Sequence, residues 1–66
     1  MENNQLAKRI RAFRKLKGLT QTELASELGI SISVLGAVER GNRKADPELI
    51  HQLCERLNID KKELLG

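Results

Sequence analysis

Aromatic residues are almost missing from this chain: it has no Trp, no Tyr and a single Phe, Phe13. A core must then be assembled from Leu, Ile, Val and Ala, which suits packed helices better than a sheet. Cysteine is equally scarce. Cys54 stands alone and excludes an internal disulfide, and with His51 as the one histidine no ligand set exists for a structural zinc site. Such cysteine usage points to the cytoplasm. Apolar runs fall far short of the ~20 residues that span a bilayer, and no apolar segment of signal-peptide type opens the chain. At 66 residues there is room for one domain, residues 1–66, near the size where a single core only just outweighs chain entropy. No grouping of nucleophile, base and orienting residue is present, so an enzyme is not expected, nor a cofactor, a metal or a small-molecule ligand.

The charge is present in quantity but unevenly spread. The formal net value is only +3, yet Lys8, Arg9, Arg11, Arg14, Lys15 and Lys17 face the single acid Glu2 within the first twenty residues. A second basic knot, Arg40, Arg43 and Lys44, comes just before Asp46, and the remainder is acidic on balance. Charge runs of this kind are often no more than a solvated face, so the elements that carry them must decide their meaning.

Leu6, Ile10 and Phe13 recur at helical spacing beside Ala7, with Leu16 extending the face, and predict a first helix over about 5–17 that Gly18 ends. Thr20-Gln21-Thr22-Glu23 has the form of a capping box and starts a second helix at Gln21, with Leu24, Ala25 and Leu28 inward and Gly29 as its stop. Ser31 is the next cap and opens a third helix with Leu35 and Val38 inward, ending near Arg40 before Gly41-Asn42. Asp46-Pro47 begins a fourth helix striped by Leu49, Ile50, Leu53, Cys54 and Leu57, and Asp60 with Glu63 caps a short fifth carrying Leu64 and Leu65. The expected architecture is all-α, a compact five-helix bundle.

The informative stretch is 21–40, two short helices sharing a turn at Gly29, with a small Ala25 where the third helix must approach closely. Thr20-Gln21-x-Glu23-Leu24-Ala25, then Gly29-Ile30, then Val38-Glu39-Arg40-Gly41 strongly resembles the lambda-repressor-like helix-turn-helix family of Cro and phage repressors, the XRE type. The resemblance covers nearly the whole chain. It implies a transcription regulator, most often a repressor, that binds double-stranded DNA at pseudo-palindromic operators as a homodimer. Carried over position by position, it puts Ser31, Ile32, Ser33, Gly36 and Ala37 against base edges in the major groove. Thr20, Gln21, Arg40, Asn42, Arg43 and Lys44 fall on phosphates, and Arg14 and Glu39 form a structural salt bridge. The last helix and the residues before it supply candidate dimer contacts in Leu57, Ile59, Leu64 and Leu65, with closure of the monomer core as the alternative for these apolar residues.

One feature sits apart from that pattern. The five base-facing positions include no Arg, Lys, Gln or Asn, the residues that make paired hydrogen bonds to purine edges. Modest sequence preference, carried by phosphate contacts and DNA shape, is the expectation. The apolar Ile32, Val34 and Ala37 also admit an alternative of another class, a protein-docking patch on a retained scaffold.

Overall fold

The computed structural model describes residues 2–66, and among them there are five α-helices and no strand: α1 (Glu2–Leu16), α2 (Gln21–Leu28), α3 (Ile32–Glu39), α4 (Pro47–Leu57) and α5 (Lys61–Leu65). The anticipated order is reproduced, and the boundaries differ chiefly at the start, where α1 begins three residues early. No Gly or Pro lies between Glu2 and Gln5 to stop it.

Local chemistry sets most of the remaining ends. Thr20 Oγ1 accepts the Glu23 amide at 3.0 Å while Glu23 Oε1 accepts the Thr20 amide at 2.9 Å, closing the capping box of α2. Ser31 Oγ accepts from the Val34 amide at 3.1 Å, and Asp46 Oδ1 from the Leu49 amide at 2.8 Å. Gly29 takes a left-handed φ of 72°, which lets the Ile30 amide reach back to the Ala25 carbonyl at 3.0 Å and turns the chain from α2 into α3. Asn58, at φ 57°, ends α4 in the same left-handed way.

Ile10, Leu24, Leu35, Leu53, Leu57 and Leu64 are fully buried and draw on all five helices. Around them pack Leu6, Phe13, Leu19, Ile30, Ile50, Cys54 and Ile59 as partly buried neighbours, and burial raises the Cys54 thiol above its ordinary pKa. Two expectations are corrected by this packing. Leu16 does not extend the inner face of α1 but is 75% exposed, because six residues at about 100° each carry it roughly 120° around the helix from Ile10. The position one turn on from Ile10 is Arg14, and it is buried. Leu57 and Leu64 belong to the monomer core; side chains with no exposed surface give nothing to a second chain, so the candidate dimer patch contracts to Ile59 and Leu65.

The helix α3 rests on α1 and α2, while α4 and α5 close the far side of the core. That arrangement leaves the outer flank of α3 uncovered. No helix among the described residues is long and apolar enough to cross a membrane.

Candidate nucleic-acid interface

What fixes α3 is an ionic network beneath it. Arg14 donates to Glu39 twice, Nε to Oε2 at 2.7 Å and Nη2 to Oε1 at 3.1 Å, and its Nη1 donates to the Leu19 carbonyl at 2.8 Å. Gln21 Nε2 adds a further bond to Glu39 Oε1 at 2.9 Å. Both charged side chains are nearly inaccessible, at 9% and 2% exposure. Burying an ion pair is costly unless the geometry is good and the remaining polar atoms are partnered. Here the paired fork supplies the geometry, and among the described residues no buried side-chain nitrogen or oxygen lacks a partner. The network thereby ties α1, the start of α2 and the end of α3 into one rigid unit.

Arg14 and Glu39 thus meet as the family resemblance implied. Gln21 is the participant that sequence reasoning missed: it is half-buried and holds Glu39, in addition to standing at the rim where a phosphate contact was expected. No spacing rule announces a bond between residues eighteen apart in separate helices, so no sequence signal was there to find. The basic first helix is also less available than its composition suggested. Arg14 is consumed internally, while half-buried Arg9 lines a cleft with Leu6, Ala45, Ile50 and Leu65.

On the outer flank of α3, Ser31, Ile32 and Ser33 are exposed and Ala37 is half-buried. Gly36 alone among the five base-facing candidates is buried, and the side chain over it is that of Arg40: a Cβ built on Gly36 would lie 3.0 Å from Arg40 Nη1 and 3.9 Å from Gln21 Nε2. Thr20, Arg40, Asn42, Arg43 and Lys44 are all exposed. Arg43 and Lys44 line a shallow cleft with Gly29, Ile30 and Val34, so the basic loop runs alongside the turn between α2 and α3. The flank is small and polar in the middle and cationic at its edge. Eight residues make α3 about 12 Å long, comparable with the ~12 Å width of the major groove of B-DNA.

Fold and site together define a helix-turn-helix module. Residues 10–64 match a helix-turn-helix family model. Among similar proteins, YazB of Bacillus subtilis, an uncharacterised HTH-type transcriptional regulator, is 52% identical over 64 residues, covering 97% of this chain and 93% of its own. The restriction-modification controller protein C.AhdI of Aeromonas hydrophila superimposes with a TM-score of 0.88 at 37% identity over 94% of each chain. The clp gene regulator ClgR of Corynebacterium glutamicum does so with a TM-score of 0.94 at 31% identity, over 98% of this chain and 69% of its own. The chain belongs to the helix-turn-helix family of Cro/C1 type, whose members are transcription regulators with a DNA-binding fold and not enzymes.

Proposed function

We propose that the protein binds operator DNA in a sequence-specific manner and represses transcription, with α3 in the major groove. The observation that carries this reading is the outer flank of α3, uncovered by the rest of the fold and bordered by Arg40, Asn42, Arg43 and Lys44. Ser31, Ile32, Ser33 and Ala37 face the bases, the two serines as hydrogen-bonding groups and Ile32 and Ala37 as partners for thymine methyls. Thr20 and Gln21 at the start of α2 and the loop cations grip phosphates on either side.

The molecule measures 25 × 24 × 20 Å, less than one turn of duplex at about 34 Å, so one copy covers a single half-site. Two copies on a pseudo-palindrome complete the site, joined through Ile59 and the 47% exposed Leu65. Sedimentation of the protein with a palindromic duplex is expected to give two chains per duplex, and Leu65→Glu one; a one-to-one complex for the wild type contradicts the dimer.

Fluorescence anisotropy with a random-sequence duplex at two salt concentrations tests the reading as a whole. Binding is expected at low salt and falls steeply as salt rises, because counterions released from phosphates drive association. Absence of binding at low salt overturns it and turns attention to exposed Ile32 as a contact for another protein.

A further inference from the structure

We infer that Arg40 is a base-reading residue, laid across Gly36 to present its guanidinium to a guanine in the major groove; this rests on the DNA-binding reading above and deepens it. Position in sequence puts Arg40 at the end of the recognition helix, where a phosphate contact is the natural assignment. Geometry moves it. Arg40 caps α3 with helical dihedrals, φ −92° and ψ −3°, so its side chain stands in register with the helix and leans back over the residue four earlier. That residue is Gly36, the fifth of the eight residues of α3. With no side chain there, the guanidinium settles into the gap: Cζ lies 3.9 Å and Nη1 3.0 Å from where a Cβ would be.

Two further observations point the same way. Ser33, Gly36, Ala37 and Arg40 follow one another at i, i+3, i+4 and i+7 and form a single ridge on the uncovered flank. The guanidinium therefore lies over the middle of that ridge, where a groove-bound helix meets base edges, and not at the rim with Arg43 and Lys44. It is also uncommitted. The neighbouring carboxylate of Glu39 is taken by Arg14 and Gln21, and no hydrogen bond or ion pair among the described residues involves the Arg40 side chain. A planar fork of donors lying over Gly36 and unpartnered matches the O6 and N7 acceptors of guanine, which no other side chain on this ridge is able to engage as a pair. The absence of a paired-donor residue noted among the five base-facing positions is thus made good from outside them.

The test uses the intact protein and the duplex that it selects from a random pool, made again with 7-deazaguanine in place of each guanine in turn. One guanine in each half-site is expected to lose affinity for the wild type by about 5- to 150-fold on this replacement. Arg40→Ala should bind the parent duplex more weakly and be indifferent to the replacement, while Arg43→Ala weakens binding yet keeps the wild-type sensitivity. Circular dichroism confirms that the variants are folded. If Arg40→Ala weakens binding to selected and random duplexes by the same factor, or retains full sensitivity to 7-deazaguanine, Arg40 is a phosphate contact and the inference is overturned. Should the wild type bind no duplex at all at low salt, it is the DNA-binding reading that fails, a distinguishable outcome.

Discussion

At the scale of single residues, Arg14 and Glu39 show how far a sequence speaks for itself. Their partnership follows from family resemblance; the reason Arg14 is buried follows from the helix, since it stands one turn beyond Ile10 on the inner face, where an apolar residue belongs. Removing one partner strands the other's charge, at a cost of about 3 to 5 kcal/mol, comparable with all the stability that a domain of this size holds. Arg14→Met is therefore expected to be largely unfolded at 25 °C by circular dichroism, and Arg14→Met with Glu39→Met to regain most of its structure. Glu23 offers a milder test. The Thr20 amide, with the Thr20 hydroxyl behind it, lowers its carboxyl below the ordinary 4.5. A carboxylate with a depressed folded-state pKa adds stability that is fully present above 4.5 and is lost as pH falls through the lowered value. Acid titration of Glu23→Gln should show a flatter decline below pH 4.5 than the wild type.

The elements were the most legible level. Each of the helices α2 to α5 starts where a Thr, Ser or Asp precedes a helical run; at α2, α3 and α4 that side chain satisfies an amide that nothing else reaches, and at α5 it is Glu63 that accepts the Asp60 amide. Leu16 misled because the inner stripe was continued by apolar character and not by angle. Burial of Leu57 and Leu64 was beyond reach for another reason: an apolar residue at the end of α4 or in α5 serves a monomer core or a second chain equally well until the packing of α1 against α4 and α5 is known. The lean of Arg40 over Gly36 was similarly hidden, since sequence gives a position on the helix but not the gap into which a long side chain falls. That gap makes a further prediction for α3. Gly36→Ala gains up to about 1 kcal/mol of helix propensity, and the exposed Arg40 guanidinium has only to shift by a few tenths of an ångström. Thermal melting should rise by about 4 to 8 °C. A lower melting temperature would mean that Arg40 is held where it lies more firmly than exposure suggests.

For the whole molecule, charge is the property that composition described least well. The basic first helix suggested a cationic face, but Arg14 turns inward and Arg9 lies in the cleft beside Leu65, leaving Arg40 over the uncovered flank of α3 and Arg43 and Lys44 at its edge. Neutralising two of these three with Arg43→Ala and Lys44→Ala should weaken binding to every duplex and reduce the slope of log K against log salt by up to about 1.8. The most direct test of where DNA lies is a nitrogen-15 heteronuclear NMR titration of the labelled protein with a short duplex. Amide shifts are expected to concentrate at Thr20 and Gln21, along Ser31–Ala37 and through Arg40–Lys44, with α4 nearly silent. Shifts centred on α4, with α3 unmoved, would contradict the assignment of α3 as the helix that enters the groove.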